Sequence, residues 1–162
     1  MKTRLFLALG ILAALALYLL SGSSKPEDAI RRKTSDLFEW VETGAGLNLL
    51  PLAIHLRAVE DYFTDSVELS VPRWTAPTVG IDSIQSLAAI TFQQTSNIEI
   101  SHQLRSIEIL QNQTTAKAQL ELSAKIVGRP RQQTIKENLS LYFQSIEGSW
   151  KIDRIISDSR LF

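Results

Sequence analysis

The sequence predicts an α+β fold in which three helices pack on a mostly antiparallel sheet, behind an N-terminal apolar segment. Three observations predict it. An unbroken run of 16 apolar residues, Leu5 to Leu20, stands near the N-terminus. Apolar residues then recur at helical spacing in three stretches between residues 26 and 92. From Ile98 onward the period switches to two and stays there to Ile156.

The apolar run follows Lys2 and Arg4 and precedes Ser21-Gly22-Ser23-Ser24. That charged, apolar, small-residue order is the order of a secretory signal. Sixteen residues fall between a signal core of about 7–15 and a spanning helix of about 17–25. Residues 1–24 therefore read as a signal peptide or a single transmembrane anchor, and residues 25–162 as one α+β domain. Cleavage after Ser23 would leave the domain periplasmic or secreted. Without cleavage, residues 5–20 hold it in the inner membrane, and the sidedness stays open. Lys25, Arg31, Arg32 and Lys33 outnumber Lys2 and Arg4, which on a positive-inside count favours the cytoplasmic side.

Composition excludes several chemistries. The chain holds 17 basic and 17 acidic side chains, and removing residues 1–23 leaves 15 and 17, a net of −2. A near-neutral body whose longest basic run is Arg31-Arg32-Lys33 is no nucleic-acid binder. With no cysteine, disulfides, thiol nucleophiles and thiolate metal sites are all excluded. The two histidines stand 47 positions apart without clustered carboxylates, so no metal is expected. No phosphate-binding glycine loop or nucleophile-elbow serine is present, and no cofactor is implied.

Ser24 and Glu27 have capping-box spacing ahead of the first helix, with Pro26 in its first turn. Ile30, Thr34, Leu37, Phe38 and Val41 form its apolar face, and Gly44 and Gly46 close it. Asn48 can cap a second helix, whose stripe is Leu52, Leu56, Val59 and Phe63. Val67, Leu69 and Val71 alternate with polar residues in a short strand that Pro72 stops. A loop with Trp74, Pro77 and Gly80 leads to a third helix, where Asp82 and Gln85 have N-cap and N3 spacing. Four long strands follow. In the first, Ile98, Ile100, His102 and Leu104 alternate, and a one-residue slip before Ile107 and Ile109 predicts a β-bulge. Residues 116–126, Ile135 to Phe143 and Trp150 to Ile156 supply the others. Polar turns at 111–115, 128–132 and Glu147-Gly148 join them in meander order.

Helix, helix, short strand, helix and four long strands resemble the nuclear transport factor 2-like superfamily, also described as SnoaL-like or ketosteroid-isomerase-like. The resemblance covers about residues 26–158. Local cues are Tyr62-Phe63-Thr64-Asp65-Ser66-Val67 after the second helix, the Gly80 to Phe92 helix, Thr115-Ala116 opening a long strand, and Gly148-Ser149-Trp150-Lys151-Ile152. The resemblance implies three helices packed on a strongly curved sheet, a cone-like α+β barrel with an open end that serves as an enzyme pocket, a ligand cavity or a docking surface. It also implies a homodimer through the outer sheet face. Fold alone does not choose among these uses.

Two polar residues fall on the apolar side of predicted strands. His102 lies with Ile100 and Leu104, where an imidazole can serve as general base, or can lean to solvent beside the bulge. Glu137 lies with Ile135, Leu139 and Leu141, where a desolvated carboxylate can shuttle protons, or can reach water at the rim. His55 and Tyr62, seven residues apart, flank the second helix's stripe as pocket candidates, whereas Asp61 points away from them. Trp74 can line a cavity mouth or a partner surface, and Trp150 reads as core. Asn112-Gln113-Thr114 and Asn138-Leu139-Ser140 match glycosylation sequons but lie in or beside strands.

Two functions are compatible with these residues. One is a non-enzymatic ligand-binding or protein-docking module at or beyond a bacterial-type membrane. The other is a small cofactor-free isomerase, dehydratase or hydrolase acting on an apolar ligand, with His102 or Glu137 as base. A cone filled with apolar side chains would argue against the enzyme. A cavity of roughly 300 Å3 or more lined by both residues would argue for it.

Overall fold

The structure, a computed structural model, describes residues 25–71, 78–110, 112–128 and 131–157. The apolar segment at 5–20 and Trp74 lie outside these residues, as does Ser24 of the expected capping box. Among the described residues no helix is long and apolar enough to cross a membrane.

Helix α1 spans Pro26–Gly44 and begins at Pro26, where the missing N–H costs nothing. Its N-cap is Lys25, with no side-chain cap. The second helix is broken at Ala58 into α2, Leu49–Arg57, and a single turn α3, Val59–Tyr62. Strand β1 then starts at Phe63 and runs to Ser70. Phe63 thus continues the helical stripe in sequence but lies in the sheet, because extended backbone there pairs it with Ile152.

Strand β2, Thr78–Gly80, is absent from the sequence reading. It is only three residues long and pairs with β1 across Val67 and Val79. Helix α4 spans Ile81–Gln94 and takes Gly80, not Asp82, as its N-cap. The long strands are β3 Thr95–Ile109, β4 Thr115–Gly128, β5 Gln132–Ile146 and β6 Ser149–Ser157.

The six strands stand in the order β2-β1-β6-β5-β4-β3. Only β1 and β6 run parallel, so the sheet is mixed but mostly antiparallel. The register of β3 against β4 shifts between Leu104 and Ser106, the bulge expected from the phase slip. Glu147 and Gly148, at φ 51° and 80°, make the two-residue turn into β6. At the turn before β4 the Asn112 carboxamide oxygen accepts from the Thr114 and Thr115 amides.

The two sheet faces differ in character. On the helix side Ile98, Ala116, Ala118, Leu120, Leu141, Phe143 and Ile152 are buried against Phe38, Trp40, Leu52 and Phe92 of the helices. On the other side one row crosses all six strands: Thr78, Glu68, Arg154, Tyr142, Lys117 and Glu108. Arg154 pairs with Glu68 at 2.9 Å. The Arg154 and Lys117 cations lie 5.2 and 5.6 Å from the Tyr142 ring. Alternation therefore separates a packed face from a polar one.

Candidate functional site

Cross-strand register brings the two strand candidates into one row. His102 stands opposite Leu122 on β4, and Leu122 stands opposite Glu137 on β5. Directly opposed residues share a face, so both point to the helix side with Leu122 between them. At about 4.8 Å per strand their backbones lie roughly 10 Å apart.

On one side of the row Leu120, Leu141, Phe143, Trp150 and Ile152 are 0–8% exposed and close the interior with side chains; on the other, Ala124 and Ile98 are 7 and 4% exposed. At the row itself Leu104, Leu122 and Leu139 are half-buried, as is Glu137, while His102 is exposed. The His102 ring packs at 4.7 Å from Phe38 of α1, tilted by 46°. The Ser157 hydroxyl donates to the Glu137 carboxylate at 2.8 Å. One residue pair along β3, the Ile100 amide donates to the Glu42 carboxylate of α1 at 2.5 Å, which fastens the helix to the sheet's outer edge.

An open hollow of about 1330 Å3 follows the middle of β3, β4 and β5, and its wall includes His102, Leu122, Glu137 and Ser157. In every strand, however, polar-face residues bracket these: Ser101 and Gln103, Glu121 and Ser123, Lys136 and Asn138. Alternation of the pleat means that the hollow opens chiefly on the face turned away from the helices. Its volume alone therefore does not make His102 and Glu137 an enclosed pair.

The helix candidates are placed elsewhere. His55 Nε2 donates to the Trp40 carbonyl at 2.7 Å, and Trp40 Nε1 donates to the His55 carbonyl at 2.9 Å. Their rings stack at 5.2 Å and 9°. A carbonyl only accepts, so His55 carries its proton on Nε2. Tyr62 stands 5.8 Å from Trp40 and donates its hydroxyl to the Asp36 carbonyl at 3.3 Å. Burial, then the carboxylates of Asp36, Asp61 and Glu39, hold its phenol above the ordinary value. Asp61 is exposed, as expected. None of the three joins the His102 row.

Several side chains at the site were not singled out from the sequence. Glu42 follows Phe38 by four positions, so it stands on the apolar face of α1, and an acid there was a readable signal. Ser157 gave none. A second hollow of about 510 Å3 lies at the irregular β1–β6 pairing and includes Asp153. Among the described residues, Asp153 Oδ1 is the one buried side-chain oxygen without a hydrogen bond. Burial first, and Glu68 last, raise its carboxyl above the ordinary value against the lowering effect of Arg154 and its own backbone. No group of three or more His, Asp or Glu fit to hold a metal occurs among the described residues.

The sequence matches no family model and no curated protein. Solved structures do match. A nuclear transport factor 2-like superfamily protein from Salmonella enterica serovar Typhimurium superposes with a TM-score of 0.68 at 13% identity, covering 87% of this chain and 95% of that one. A protein of unknown function with the same kind of fold from Shewanella oneidensis gives 0.61 at 17%, covering 82% and 98%. A protein provisionally named a scytalone dehydratase from Novosphingobium aromaticivorans gives 0.65 at 15%, covering 80% of each. Three helices on a curved six-stranded sheet, with these superpositions, show that the chain has the nuclear transport factor 2-like fold.

Proposed function

We propose that this chain binds a small, largely apolar molecule carrying one polar group, over the row formed by His102, Leu122 and Glu137. The observation that carries the reading is the row His102–Leu122–Glu137. It offers a half-buried apolar floor from Leu104, Leu122 and Leu139, with a cationisable ring on one side and a carboxylate on the other. That is the usual make-up of a ligand site, mostly apolar with few placed polar groups.

A second reading makes the same site catalytic, as a cofactor-free isomerase or dehydratase. It draws support from the row, because an acid and a base on opposite sides of one ring can move a proton across it. It draws further support from fold neighbours whose names include dehydratases. Glu137 would take a proton from carbon, and His102 would donate its own proton, to the new carbon position in an isomerisation or to the hydroxyl that leaves as water in a dehydration.

One set of variants tests both. Titration with a fluorescent apolar carboxylate or ketone is expected to show binding that weakens about tenfold in His102→Ala and in Glu137→Gln. The catalytic reading adds turnover of an enolisable cyclic ketone, followed as solvent-deuterium uptake, which is lost in Glu137→Gln even at ketone concentrations that saturate the weakened site. Unchanged binding in both variants would remove the site.

A further inference from the structure

Strand β6 carries one residue too many for regular alternation, and the extra residue decides where the end of the strand points. Trp150 and Ile152 face the helices, at 8 and 0% exposure. Counting on by two would put Arg154 and Ile156 on that face and turn Ser157 away from it. Against β5, however, Ile152 stands opposite Phe143 and Arg154 opposite Tyr142, so Asp153 is an insertion in the register. Two residues of one strand set against one of its neighbour make a β-bulge. Beyond the bulge the phase is reversed. Arg154 lies on the polar face, paired with Glu68 at 2.9 Å. Ile155, opposite Leu141, packs against the core. Ser157, opposite Leu139, therefore faces the helix side. Its diagonal neighbour on β5 is Glu137, and diagonal pairs lie about 7–8 Å apart, within reach of a long side chain. The Ser157 hydroxyl donates to Glu137 Oε2 at 2.8 Å.

We infer that the bulge at Asp153 aims Ser157 at Glu137, and that Ser157 is a positioning residue of the candidate site. The inference rests on reading the row His102–Leu122–Glu137 as that site. A glutamate side chain is long and rich in rotamers, and at a half-buried position its carboxylate can swing out to water. A donor on β6 holds it instead beside Leu139, at the edge of the floor made by Leu104, Leu122 and Leu139. Hydrogen bonds to an ionised acceptor are among the stronger ones, so the hold is effective. The opposite side of the floor is framed in the same way, with the His102 ring against Phe38 at 4.7 Å. A ligand thus meets both polar groups already oriented, which lowers the cost of binding. Bulges recur beside functional sites because an inserted residue re-aims the side chains that follow it. This one has a local cost: Asp153 Oδ1 is buried without a hydrogen-bond partner among the described residues. Local faults of this sort collect where a site needs them.

Two variants isolate the hydroxyl. Ser157→Thr keeps it, Ser157→Val has nearly the same shape without it, and both side chains suit a strand. The full chain and its variants would be titrated with one probe, a fluorescent naphthyl ketone. Affinity is expected within about twofold of the parent for Ser157→Thr and about fivefold weaker for Ser157→Val. In a Glu137→Ala background the two changes should give equal affinities, because the group through which Ser157 acts is gone. Equal affinities already in the parent, with Glu137→Ala still weakening binding, overturn the inference and leave the site standing. A Thr–Val difference that persists in Glu137→Ala assigns Ser157 to packing and also overturns it. Probe binding indifferent to Glu137→Ala removes the site, and the inference with it.

Discussion

Trp40 and His55 each donate a ring N–H to the other's backbone carbonyl, at 2.9 and 2.7 Å, with the rings stacked at 9°. This reciprocal pair joins α1 to α2 over Phe92, whose ring meets Trp40 edge-on at 5.4 Å. His55→Ala removes one hydrogen bond and one stacked ring, together about 2 kcal/mol. Denaturant unfolding checks the value. A double-mutant cycle with Trp40→Phe should show coupling of about 1 kcal/mol. Ligand binding at His102 should not change beyond the loss of folded protein, and a specific loss there would contradict this assignment of His55.

Gly44 occupies the last helical position of α1 directly under Phe92. A β-carbon there would stand 2.5 Å from the ring. Gly46, at φ +73°, is the residue of the pair that needs left-handed backbone. Gly44→Ala should therefore destabilise by about 1–3 kcal/mol through overpacking, despite alanine's better helix propensity. Phe92→Leu introduced with it should recover part of that loss. Thermal unfolding of the single and double variants measures both.

Glu42 accepts the Ile100 amide on β3, the edge strand of the sheet. A carboxylate bond of this kind contributes about 1.5–3 kcal/mol. Glu42→Ala should release the helix from the edge, speed hydrogen exchange at the Ile100 amide and leave a long edge open to pairing with other chains. Glu42→Gln retains an acceptor and should restore most of the protection. Exchange unchanged in Glu42→Ala would show that the edge is held by other means.

Asp153 carries a carboxyl raised by burial, with Oδ1 lacking a hydrogen bond. The sign follows from linkage. Between its ordinary value of 3.8 and its raised folded value, the folded state binds more protons than the unfolded one. Stability therefore falls as pH rises through that window, and the cost is complete above it. Asp153→Asn should stabilise the protein at pH 7, by under about 1 kcal/mol given the group's partial exposure. The gain should vanish below the window. A pH series of melting temperatures for both proteins tests it, and a gain that persists in acid would refute the charge-based account.

Periodicity by itself determined the helices, the long strands and their faces, because burial on one side writes a repeat of 3.6 or 2 into the chain. The bulge after Leu104 was legible for the same reason: a slip in alternation has one structural meaning. His102 and Glu137 were legible as inward residues, since each interrupts an apolar set. Three things needed the tertiary structure. Strand β2 is too short to carry a period. Phe63 satisfies a helical stripe and a strand equally, and pairing with Ile152 decides between them. The pairing of Trp40 with His55, and of His102 with Glu137 across Leu122, depends on register between elements distant in sequence. A local pattern says which way a side chain points. Only packing says what it meets there.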